Sequence, residues 1–136
     1  MHVKKIITFL PIFIISFFLS VAWSQEKVLS NIEINDFVIA LSVEELVPLG
    51  IATKYSASVL RLYAFCEVTG ALEETNLMHL WYYEGTLMAS VKLPVKSKSW
   101  RTYSSKSILS EWTGQWRVDV TTEDGLLLSS SEFEIK

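Results

Sequence analysis

Gln115-Trp116-Arg117-Val118-Asp119-Val120-Thr121 is the stretch that decides the fold. Successive side chains of an extended strand point to opposite faces, so Trp116, Val118 and Val120 share one face, and Gln115, Arg117, Asp119 and Thr121 share the other. One face is wholly apolar and the other wholly polar. That is the signature of a half-buried strand, and it makes Trp116 a core residue.

The same period-two pattern, enriched in β-branched and aromatic residues, recurs outward from this stretch. It predicts strands at 31–42, 58–68, 77–83, 86–92, 100–108, 115–121 and 126–135, and no long stretch carries the helical period. Seven short strands in this space predict an all-β fold, an antiparallel immunoglobulin-like sandwich. Glu84-Gly85 and Glu123-Asp124-Gly125 read as hairpin turns, because glycine supplies the positive φ that tight connections need. Pro94 with Lys96-Ser97-Lys98-Ser99 reads as a longer connection, Pro48-Leu49-Gly50 opens a loop running to about Ala57, and 110–114 is a short connection containing Trp112. In the run from Leu77 to Tyr83 both faces carry large groups. Alternation therefore ties His79 and Tyr83 to Trp81, inward or outward together.

Residues 1–24 have the three parts of a secretory signal: Lys4 and Lys5, an apolar run from Ile6 to Val21, and Ala22-Trp23-Ser24 as a small-x-small cleavage site. The expectation is an exported protein, periplasmic or extracellular, touching a membrane only through this segment if it stays uncleaved. The remaining residues, 25–136, are expected to form a single domain, long enough to bury one core. Its Lys and Arg fall from 12 to 10 against 15 Asp and Glu, giving about −5 with His neutral. That balance argues against nucleic acid as a partner, which needs a basic footprint.

Cys66 is the one cysteine, so the domain cannot be a disulfide scaffold. Alternation places it with Leu60, Leu62, Ala64 and Val68, which predicts a buried, inert thiol rather than a reactive one. The mature chain also has a single histidine, His79. No glycine-flanked nucleophile elbow surrounds Ser104 or Ser105, no ligand pair has metal-motif spacing, and no glycine-rich phosphate loop is present. We therefore expect no catalytic residues, no metal and no cofactor.

Four of the five tryptophans lie between Trp81 and Trp116, beside arginines and tyrosines. The expected ligand-binding residues are Arg101, Tyr103, Lys106, Trp112 and Arg117, since guanidinium and aromatic groups suit anionic or saccharide ligands through bidentate hydrogen bonds and stacking. Arg101, Tyr103 and Ser105 share one face, whereas Arg117 has a polar face of its own and could simply pair with Asp119. Arg61 admits the same two readings.

The runs Arg61-Leu62-Tyr63-Ala64-Phe65-Cys66-Glu67-Val68, His79-Leu80-Trp81-Tyr82-Tyr83-Glu84-Gly85, Trp100-Arg101-Thr102-Tyr103-Ser104-Ser105-Lys106 and Gly114-Gln115-Trp116-Arg117-Val118-Asp119-Val120, with Asp124-Gly125, carry a further reading. From about residue 58 onward they resemble the bacterial domain of unknown function 2914 family. The Trp100–Lys106 string is the most specific element, with Tyr103 at its usual aromatic position. The resemblance implies a small β-rich domain, commonly in envelope proteins, and offers no residue roles. The functional expectation is a non-enzymatic extracytoplasmic module that binds an envelope protein or glycan. Alternatives are a small hydrolase or carbohydrate-active enzyme using His79 with Glu67 or Glu84, and an assembly subunit pairing through the outer strands 31–42 and 126–135.

Overall fold

The computed structural model describes residues 31–136; the export segment at 1–24 lies outside them. Ten strands follow in order: β1 (Glu33–Ala40), β2 (Ser42–Glu44), β3 (Val47–Leu49), β4 (Lys54–Tyr55), β5 (Arg61–Thr69), β6 (Thr75–Tyr83), β7 (Thr86–Val95), β8 (Ser99–Ser107), β9 (Gly114–Thr122) and β10 (Leu127–Ile135). A three-stranded sheet β1-β5-β8 faces a five-stranded sheet β4-β10-β9-β6-β7, and β2 and β3 form a separate two-stranded hairpin. All pairs are antiparallel except β4 with β10. The seven long strands are the seven expected from alternation. Their division into two facing sheets makes the all-β, immunoglobulin-like sandwich.

The core lies between the inward faces. Trp116 stacks on Phe133 with centroids 5.8 Å apart, and Trp81 meets Phe133 edge-on at 6.3 Å. Leu62 and Ala64 of the opposite sheet, with Ile39, Val118 and Ile135, complete this cluster. A second cluster gathers Ile32, Cys66, Val68, Leu77, Val95 and Val120. Such aromatic packing stabilises beyond area burial, and truncating a sealed tryptophan costs ~3–5 kcal/mol.

Both expected hairpin turns are present. Glu84 and Gly85 at φ 47° and 79° join Tyr83 to its partner Thr86, and Gly125 at φ 93° lies between β9 and β10. Trp81 and His79 turn inward together, as alternation required, with Tyr83 half-buried beside Trp116.

Several expectations need correction. Leu60 does not share the face of Cys66: it precedes β5 and is 85% exposed. Pro94 is not in a connection but inside β7, which is an edge strand where the missing N–H breaks no ladder, so the link to β8 shrinks to 96–98. The first strand ends at Ala40, and the segment that follows holds a hairpin and β4 rather than only a loop.

The β1 strand carries an irregularity of use to the site. Its register against β5 shifts between Asn35 and Val38, and Asp36 there adopts φ 50°. This bulge sends Phe37 inward, against both core clusters.

Candidate functional site

Five side chains were expected to bind ligand, and the sandwich does not bring them together. Arg101 and Tyr103 stand on the outer face of the three-stranded sheet, as the alternation of β8 requires. Tyr103 is 40% exposed and tilts against Tyr63, with centroids 6.0 Å apart. Arg101 Nε lies 4.0 Å from Glu67 Oε2, the residue opposite it in the ladder, and not over a tryptophan. On the same face Arg61 donates from Nη1 to Ser105 Oγ (2.8 Å) and from Nη2 to Ser107 Oγ (2.7 Å), which spreads its guanidinium along the strand surface.

Lys106 and Trp112 belong to a different place. Trp112 sits in the connection between β8 and β9, packed on Tyr83 and Trp116, and Lys106 Nζ lies 5.1 Å from its ring centroid. Trp116 Nε1 donates to the Trp112 carbonyl at 3.0 Å, which fixes this corner as an extension of the core. Arg117 stands on the outer face of the five-stranded sheet, away from Arg101. It donates from Nε to Asp119 Oδ1 at 2.9 Å and covers the Tyr82 ring at 4.5 Å. Its charge is thus committed to neighbours, the pairing that its polar face allowed.

The groups with reactive potential are sealed instead. His79 is fully buried; its Nδ1 meets Ser104 Oγ at 2.7 Å and its Nε2 meets Cys66 Sγ at 3.6 Å. Trp81 Nε1 donates to the same Ser104 hydroxyl at 3.0 Å, and the Phe37 ring lies 5.6 Å from the imidazole. Burial disfavours charge, so the imidazole is held neutral with its pKa lowered to about 4, and the thiol is pushed up to about 12. A base and a nucleophile so tuned are inert near neutrality. Glu67 points to the outer face of β5, and Glu84, in the β6–β7 turn, accepts the Gln115 N–H at 2.8 Å. Cys66 is therefore the buried thiol that alternation implied. Among the described residues no three His, Cys, Asp or Glu side chains converge as metal ligands would.

What the sequence reading missed is a cleft of about 290 Å³ on the outer face of the three-stranded sheet, lined by Asp36, Val38, Val47, Pro48, Ile51, Phe65, Glu67 and Arg101. The β2–β3 hairpin forms its roof. Phe65 faces outward from β5, opposite to Ala64 and Cys66, yet is only 3% exposed, because this hairpin side covers it. A phenylalanine at an outward position between Tyr63 and Glu67 was the available signal that something lies over that face. The turn of the hairpin, Glu45-Leu46, holds both residues at positive φ, 48° and 58°. Tyr55 anchors the segment behind it: its hydroxyl reaches the carbonyls of Ile39 and Gly50 and accepts the Ala52 N–H, all at 2.9 Å.

The fold and this face together define a small immunoglobulin-like β-sandwich with an open, roofed cleft on one sheet. Residues 74–135, which span β6 to β10, match the family described as "Protein of unknown function (DUF2914)", so the resemblance drawn from the sequence holds over that stretch. Arg101, Tyr103 and Arg117 fall inside the match, whereas the roof and β5 precede it. No curated protein matches the chain. Among solved structures, it is similar to a β-glucosidase from Kluyveromyces marxianus, at 12% identity and TM-score 0.46, covering 77% of this chain and 14% of that one. A β-glucosidase from Listeria innocua in complex with glucose gives 12% identity and TM-score 0.45, covering 76% of this chain and 16% of that one. The chain thus spans about one-seventh of the length of those enzymes.

Proposed function

We propose that this protein is a non-enzymatic extracytoplasmic binding module, and that it recognises another envelope component through the outer face of the β1-β5-β8 sheet. The observation that carries the reading is the contrast between two sites. The cleft is open, with an apolar floor and a guanidinium at its rim, whereas the imidazole and thiol are closed off from solvent. Clefts with an apolar lining and a few polar groups are the usual form of recognition sites. The basic, apolar and small-residue order of residues 1–24 supports export. An apolar floor favours a protein partner over a glycan.

Calorimetric titration of the full chain with envelope peptides and acidic oligosaccharides tests this. Saturable binding lost in Arg101→Ala and kept in Arg117→Ala supports the cleft face. The converse moves recognition to the other sheet. Turnover of a substrate, lost on His79→Ala in a folded variant, would replace the reading with the hydrolase one. A subunit that assembles through sheet edges is the second reading, favoured by β10, whose outer edge pairs with β4 only at Glu134 and Ile135. Sedimentation showing only monomer at high concentration would remove self-assembly.

A further inference from the structure

We infer that the cleft receives a basic–apolar peptide segment of a partner protein, with one apolar side chain seated against Phe65 and an adjacent lysine or arginine on Asp36. The inference rests on the binding-module reading and specifies its ligand.

Size comes first. At about 290 Å³ the cleft falls at the small end of ligand sites, suited to one large side chain rather than to a cofactor. Its inner surface is Phe65, Val38, Val47, Pro48 and Ile51, and the mouth keeps apolar area in water, with Val47 47% and Ile51 56% exposed. Covering that area releases its hydration, the main favourable term in association.

Charge selects the neighbour of that side chain. The cleft is lined by two carboxylates, Asp36 and Glu67, against one guanidinium, Arg101, which is already shared with Glu67. Asp36 carries no ion pair among the described residues. The hairpin roof adds Glu44 and Glu45. A cation brought to this rim gains a partner, whereas an anion meets a surplus of like charge.

Backbone conformation marks the same place. Of the four non-glycine residues at positive φ, Asp36, Glu45 and Leu46 belong to the wall and roof of this cleft. Non-glycine residues in the left-handed region cost of order 1–3 kcal/mol each, and they cluster at ligand clamps.

The test is an amide-shift titration of the ¹⁵N-labelled full chain in detergent micelles, with the probe peptide acetyl-Lys-Phe-Lys-amide. The controls are acetyl-Glu-Phe-Glu-amide, acetyl-Lys-Ser-Lys-amide and an acidic oligosaccharide. Saturable shifts at Val38, Val47 and Phe65 with the first peptide alone are expected. Asp36→Asn, a residue tolerant of positive φ, should weaken binding about two- to fivefold, the range for an exposed ion pair. Ile51→Ser, at an exposed position, should weaken it without unfolding the chain. Equal binding of the acidic peptide, shifts confined to Trp112 or Arg117, or no shifts would each overturn the inference. Saturable oligosaccharide binding on the same face, with none of the peptide, would sink the inference while leaving the binding-module reading in place.

Discussion

The Glu84 carboxylate occupies the space that a side chain on Gly114 would need: a Cβ built there falls 2.0 Å from Oε1. Gly114 also sits at φ +124°, outside the range of ordinary L-residues, and the same carboxylate accepts the next N–H, that of Gln115. Gly114→Ala should therefore destabilise by about 1–3 kcal/mol in urea unfolding. In a Glu84→Ala background the added loss should shrink, because the clash disappears and only the backbone strain remains. Purely additive losses would show that the carboxylate and the glycine are not coupled.

His79 gives the stability a pH dependence whose sign follows from burial. Its ordinary pKa is 6.5 and burial lowers it to about 4 in the folded chain. Between these values the unfolded chain binds a proton that the folded chain refuses. Stability is thus full above pH 6.5 and falls as the pH drops toward 4, by about 3 kcal/mol at most. Denaturation at pH 7 and pH 4.5 should show a smaller difference for His79→Gln than for the parent. An unchanged difference would assign the slope to carboxylates alone.

Cys66, with its pKa pushed up to about 12 and no exposed surface, should resist a disulfide reagent at pH 8 in the folded protein. Its labelling rate should rise with urea in step with global unfolding. Prompt labelling without denaturant would mean that the sheets open locally at β5.

The Glu45-Leu46 turn is the strand connection least suited to its residues. Both positions need positive φ, which Asn-Gly supplies at little cost. Replacing the pair by Asn-Gly should raise stability by roughly 1–2 kcal/mol, read as a higher thermal midpoint, because Leu46 is 46% exposed and contributes little packing. No gain would show that packing of the hairpin on Phe65 already compensates the strain.

The seven long strands were legible because their buried faces are written in alternation, as in Trp116, Val118 and Val120. Turns with glycine were legible for the same local reason. The β2–β3 hairpin was not: Ser42-Val43-Glu44-Glu45-Leu46-Val47-Pro48-Leu49 contains no turn-forming pair, and its conformation is held by what it lies on. The two residues of β4 exist only through parallel pairing with β10, contacts far away in sequence. For the site, alternation correctly put Arg101 and Tyr103 on one face. It could not separate them from Arg117, because consecutive strands β8 and β9 join different sheets, and sheet membership is not a local property. Lys106 lies opposite Leu62 in the ladder and reaches Trp112 at the end of the sandwich, a contact set by tertiary packing.

The extra residue in β1 has a consequence for what this protein avoids. β1 is an edge strand, and an unbroken edge is a template onto which a foreign strand can zip. Here the spacing of donors and acceptors changes midway, at Asp36 and Phe37. A strand in register with Glu33 to Asn35 falls out of register by Val38. The bulge thus limits any intruding chain to a few contacts, and it guards the exposed flank of the sheet against polymerisation.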